Sequence, residues 1–199
     1  MKEMWWREAE RHYVLPMDER FGPRFDAHAR RVQGARSQFV FHPGMGHLPT
    51  DVAPDVRARS YTIEADVLLL DAGAEGVLIA HGDATSGYSL YLQGGHLVHD
   101  LNVGGLHQIL RSDKPVPSGR HRLGFRMQLG PMALTPPLPH IGRVVVPSSR
   151  RGTLLIDDEA AGEIVFKAGF NTLISWSGLD IGRDCASPVS HYAVPFEFS

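Results

Sequence analysis

From residue 58 onward the chain alternates between short apolar runs and tight-turn residues, and this rhythm restricts the fold more than any other feature. Tyr61, Ile63, Ala65 and Val67 alternate with Thr62, Glu64 and Asp66, the period-two pattern of a half-buried strand. Gly76-Val77-Leu78-Ile79-Ala80 is a short apolar strand. Tyr88-Ser89-Leu90-Tyr91-Leu92-Gln93 is another, and Gly94-Gly95 turns it into a strand over 96–103. Paired glycines between strands mark a hairpin, because the mirror-image turns need positive φ. Gly104-Gly105 leads into 106–110, and Pro115, Pro117 and Gly119 break the chain before a strand at 121–127. Further strands fall at 153–156, 163–166 and 173–181. Many short strands at regular turn spacing predict an all-β, antiparallel jelly-roll sandwich.

The first 57 residues read differently. Trp5, Ala9 and Tyr13 recur four apart, so the spacing predicts one short N-terminal helix over 3–13, closed by Pro16. A helix this short needs something to dock on. Five prolines then spread through 14–57, with Val14, Leu15, Phe21 and Phe25 as buried anchors and a short strand at Phe39-Val40-Phe41. The division expected is 1–57, helix and wrapping segment packed on the sandwich, and 58–199, the sandwich. Pro131, Pro136, Pro137, Pro139 and Pro147 make 129–150 a long loop, with room for a strand at Val144-Val145-Val146.

Charge sets the first functional limits. A net charge of −2 over 199 residues supplies no field for nucleic acid or an anionic membrane. The N-terminal residues contain no apolar leader, and no apolar run reaches the ~20 residues that span a bilayer. The single cysteine, Cys185, allows no internal disulfide and reads as a small buried residue. A cytoplasmic location is the expectation.

Several stretches in order resemble the C-terminal region of the bacterial arylsulfatase family. They are Trp5-Trp6-x-Glu8-Ala9-Glu10, the run from Tyr13 to Arg20, Pro43-Gly44-Met45, and Arg59-Ser60-Tyr61-Thr62-Ile63. Gly76-Val77-Leu78, Gly87-Tyr88-Ser89-Leu90-Tyr91, Asp180-Ile181-Gly182-Arg183-Asp184, Pro188-Val189-Ser190 and Tyr192 complete the set. The resemblance implies a concanavalin-like jelly roll that follows a sulfatase-type catalytic domain, with that domain as partner. The activity is not implied. Sulfatases modify a Cys or Ser in a C/S-x-P-x-R setting, and Cys185-Ala186-Ser187-Pro188-Val189 has other spacing and no arginine.

Alternation along 96–103 puts His96, Val98, Asp100 and Asn102 on one face and Leu97, His99, Leu101 and Val103 on the other. If the strand at 121–127 lies alongside, Arg122 and Arg126 join His96, Asp100 and Asn102 in a pocket suited to a sugar or an anion, with Tyr91 and His107 as further binding candidates. Among apolar neighbours, His99 reads as a hydrogen-bonded core histidine. His81-Gly82-Asp83 reads as a turn at a strand end. Asp180 and Asp184 are candidate calcium ligands; no other cofactor is expected. Trp5 and Trp6 form a candidate interface with a partner domain or a second copy. The leading expectation is a non-catalytic accessory or binding module of lectin-like or subunit-contact role. The alternative is a free-standing isomerase, hydratase or cyclase, with His99, Asp100 and His96 as acid and base.

Overall fold

The computed structural model describes residues 1–14, 36–137, 142–171, 174–185 and 187–198. The chain divides into two compact units, 1–37 and 38–199. The first carries helix α1, Lys2–Arg11, where the four-residue spacing placed it. Val14 is exposed there and is not the buried anchor expected; Leu15, Phe21 and Phe25 lie outside the described residues. The second unit begins twenty residues before the composition change, because Phe41, Leu48, Ala53 and Val56 all pack into the sandwich core. Residues 39–41 form no strand.

Eleven strands follow among the described residues: β1 (Tyr61–Leu69), β2 (Gly76–Gly82), β3 (Gly87–Gln93), β4 (His96–Val103), β5 (Leu106–Arg111), β6 (Gly119–Leu129), β7 (Met132–Leu134), β8 (Val145–Pro147), β9 (Arg150–Ile156), β10 (Glu159–Val165) and β11 (Leu179–Ile181). They build a four-stranded sheet, β1-β6-β9-β10, and a five-stranded sheet, β11-β2-β3-β4-β5. Every pairing is antiparallel. β7 and β8 pair as a separate ribbon inside the proline-rich stretch. The result is the antiparallel jelly-roll sandwich that the periodicity predicts.

The four-stranded sheet obeys simple alternation. Tyr61, Ile63, Ala65 and Val67 turn inward, and Thr62, Glu64, Asp66 and Leu68 stay exposed. Opposite them on β6, Leu123, Phe125 and Met127 are buried. These meet Leu90, Leu92, Leu97 and Leu101 of the five-stranded sheet in one core. Each such side chain contributes about 1.5–3 kcal/mol through burial. Gly94 and Gly95, at φ 57° and 72°, close the β3–β4 hairpin in the left-handed region that glycine favours.

The five-stranded sheet departs from alternation, because β2, β3 and β4 are buried on both faces. The cause is the C-terminal segment, which runs back over the outer face as a strap. Asp184 and Phe196 exchange backbone hydrogen bonds of 3.2 and 3.0 Å, and Phe198 donates to Gly182 at 2.9 Å. Beneath the strap, Val77, Ala80, Tyr91 and Val98 form a second apolar cluster with Val189 and Tyr192, flanked by Val194 and Phe196.

Candidate functional site

Strand alternation places Tyr91, Asp100, Asn102 and His107 on the outer face of the five-stranded sheet, and the strap closes over them. Asp100 is fully buried. Its Oδ2 accepts from Ser190 Oγ at 2.7 Å and from His107 Nδ1 at 2.6 Å. Tyr91 OH lies 3.1 Å from Ser190 Oγ and donates to it, since Ser190 gives its own proton to Asp100. Asp100 Oδ1 has no partner among the described residues. Asn102 is consumed by the fold: it donates to Ala84 O (3.0 Å) and Val189 O (3.4 Å) and accepts from Gly105 N (2.9 Å). Tyr91, Asn102, Asp100 and His107 therefore do converge, but as an internal network beneath the strap. Only His107 reaches solvent, with 21% of its side chain exposed.

The arginines do not join them. β6 pairs with β1 and β9 in the opposite sheet, so Arg122 and Arg126 point away on the far side of the sandwich. Arg122 forks Asp66 through Nε (2.9 Å) and Nη2 (3.3 Å), and that hydrogen bond holds the Asp66 carboxyl below its usual range. Asp157 accepts from the Arg122 backbone N–H at 2.9 Å and from His121 Nδ1 at 2.8 Å. These groups, with Arg120 and Asp158, line an open groove of about 650 Å³.

The proposed acid–base trio is also separated. His99 faces inward, opposite in direction to Asp100, and stacks on Phe125 with ring centroids 3.5 Å apart and planes at 7°. Neither ring nitrogen has a hydrogen-bond partner among the described residues, which corrects the expectation of a satisfied histidine. Burial alone lowers its pKa to about 3, so the ring is a neutral core group. His96 donates from Nδ1 to Ser112 O at 2.9 Å, at the start of β4.

One feature escaped sequence reading. Asp83, in the β2–β3 turn, accepts from the hydroxyls of Ser175 (2.5 Å) and Ser177 (3.0 Å) on Oδ2. From the other side, Thr50 Oγ1 bridges Ser175 O (2.9 Å) and Ser177 O (2.8 Å). The tripeptide Ser175-Trp176-Ser177 is thus pinned at both ends, and Trp176 between them is 62% exposed. His47 sits beside Gly178, where a Cβ would come within 2.6 Å of its Nε2, and its Nδ1 pairs with Asp180 at 3.1 Å. His81, below Thr50, is buried, and burial followed by the charge of His47 lowers its pKa to about 4. The signal available in sequence was an aromatic between two serines next to glycine, which reads as a turn and reveals no partner.

The remaining candidates are placed as follows. Asp180 serves His47, and Asp184 accepts from Val189 N (3.1 Å) and Tyr192 OH (2.8 Å), so both calcium candidates hold the chain together. Cys185 is exposed, contrary to expectation. Trp5 and Trp6 are 44% and 55% exposed and meet edge to face at 4.8 Å. His140 lies outside the described residues.

No family model matches the chain, and no curated protein sequence matches it, so the arylsulfatase likeness gains no support there. Solved structures do resemble it. The Ruminococcus gnavus IT-sialidase CBM40 has a TM-score of 0.47 and 14% identity over 71% of this chain and 72% of that one. The same module bound to alpha2,3 sialyllactose gives 0.47 and 15% over the same shares. The LG4-5 domains of the mouse laminin alpha1 chain give 0.49 and 16%, over 76% of this chain and 35% of that one. At such values no ligand or activity passes from these proteins to this chain.

Proposed function

We propose that the chain is a carbohydrate-binding module without catalytic function of its own, and that the saccharide stacks on Trp176. The observation that carries this reading is the double pinning of an exposed indole. An unsupported tryptophan on a loop loses conformational freedom when it binds, and that loss subtracts from affinity. Here Asp83 and Thr50 fix the backbone on both sides before any ligand arrives. A large, rigid aromatic face with few torsions is an efficient contact surface. The apolar C–H face of a pyranose ring fits such a surface, and Asp180, four residues along the chain, pairs with His47, whose ring lies beside Gly178, to meet hydroxyls.

The enzyme alternative loses its proposed machinery, because His99 and Asp100 face opposite sides of β4. The partner suggested by the sequence likeness is a sulfatase-type catalytic domain, for which such a module would hold the glycan substrate.

A glycan array followed by titration calorimetry tests the reading. Trp176→Ala should abolish binding while leaving stability within about 0.5 kcal/mol, as for most surface changes. Arg120→Ala, in the groove at the opposite end of the sandwich, should change nothing. Binding that survives Trp176→Ala and is lost with Arg120→Ala would move the site to the groove and overturn the proposal.

A further inference from the structure

His107 and His191 are not used by the saccharide reading, and their setting is unusual. His107 lies on β5, and His191 follows Ser190 on the strap. Their ring centroids are 4.2 Å apart, with planes inclined at 36°. The His107 Nδ1 proton is committed to the buried Asp100 carboxylate at 2.6 Å, which leaves Nε2 as the basic nitrogen. Asp100 also accepts from Ser190, so one buried carboxylate positions His107 directly and His191 through its chain neighbour. The second carboxylate oxygen has no partner among the described residues.

We propose that His107 and His191 form a binding site for a borderline transition-metal cation, with zinc as the representative ion, and that Asp100 is its supporting carboxylate. Imidazole nitrogen suits zinc, copper and nickel and is a poor match for calcium or magnesium. A carboxylate on the far nitrogen of a ligating histidine fixes the tautomer, orients the ring and raises its basicity. Zinc–nitrogen bonds are about 2.0–2.1 Å, so the two rings, now 4.2 Å apart, must turn and part until a free nitrogen of each reaches one ion. No cluster of three or more His, Cys, Asp or Glu side chains suited to a metal exists among the described residues. The protein therefore supplies two nitrogens, and water fills the other positions. Such a site joins the strap to the sheet, so an ion bound there stabilises the closed strap by mass action.

Zinc titration of the full chain by calorimetry is the test. One saturable site is expected, with a midpoint of unfolding that rises with zinc and returns on chelation. His191→Ala, on an exposed residue, and His107→Asn should each weaken binding by roughly tenfold or more, while His42→Ala in a separate loop should not. In the wild-type protein, zinc should shift the ring-proton resonances of two histidines, assigned by their loss in the variants. Absence of saturable binding up to about 1 mM zinc, an affinity too weak to matter, would overturn the proposal. So would unchanged affinity in His191→Ala. Loss of glycan binding in Trp176→Ala bears on the saccharide reading alone.

Discussion

Acid should unfold this protein through its core histidines, and His99 is the residue to change. In the native state its pKa is lowered to about 3 by burial; in the unfolded chain it returns to the ordinary value of about 6.5. The folded pKa is depressed, so the unfolded state binds the proton more readily between these values. Stability is then complete above the unfolded pKa and declines as pH falls through the window between 6.5 and 3. The loss approaches about 1.4 kcal/mol per pH unit. At pH 4.5 His99 alone costs about 2–3 kcal/mol relative to neutral pH. His81, lowered to about 4 by burial and by the charge of His47, adds about 2 kcal/mol on the same arithmetic.

The assay is urea unfolding at pH 7.0, 5.5 and 4.5, followed by tryptophan fluorescence, for the wild type and His99→Phe. The phenyl ring preserves the stack on Phe125 and cannot take a proton. Whatever it does to absolute stability through its extra volume, its loss on acidification from pH 7.0 should be smaller than that of the wild type by about 1 kcal/mol at pH 5.5 and about 2–3 kcal/mol at pH 4.5. Carboxylates titrate in both proteins and cancel in the difference. Equal pH dependence in the two proteins would refute the reasoning, since it would mean that His99 finds a partner or water in the folded state.

Gly76→Ala should destabilise the protein by about 1–3 kcal/mol and release the strap, because its Cβ would fall 2.3 Å from Glu197 O and 2.4 Å from Phe198 Cα while φ is 126°; limited proteolysis should then cut first near the C-terminus. Phe125→Ala should cost about 3–5 kcal/mol by urea unfolding, since the ring is fully buried and is the floor on which His99 stacks. Asp83→Asn should increase the mobility of Trp176, read as a fall in fluorescence anisotropy, because a carboxylate that accepts from both Ser175 and Ser177 is replaced by an amide with a weaker acceptor.

The two sheets differ in how far their sequence exposes them. β1 turns Ile63, Ala65 and Val67 inward and Glu64 and Asp66 outward, so one strand with one wet face can be read from its own residues. β4 cannot be read this way. Asp100 and Asn102 are polar and sit on the outer face, yet both are fully buried. What covers them is the strap, and Ser190 lies 90 positions from Asp100. A local pattern reports which face a side chain is on and carries no information about a distant segment that later covers that face. The same limit separated Arg122 from Asp100: strands close in sequence entered opposite sheets, and alternation is silent about sheet partners. Trp176 was hidden for a related reason, since its pins come from Thr50 and Asp83, 125 and 92 positions from Ser175.

The two proposed sites lie on one hydrogen-bonded framework. The turn that contains Asp83 holds Ser175 and Ser177 on one side. On its other side, Ala84 donates to Ser187 Oγ at 3.2 Å, and Ala84 O accepts from Asn102, which also reaches Val189 O. Ser187 and Val189 belong to the strap that carries Ser190 and His191. A cation that fastens His191 to His107 therefore restrains the segment against which the Asp83 turn is built, and a saccharide stacked on Trp176 loads the same turn from the opposite side. Each ligand would then act on the frame that carries the other, and saccharide titration with and without zinc reads the coupling. Coupling between binding sites is reciprocal, so any factor by which zinc tightens the saccharide must equal the factor by which the saccharide tightens zinc.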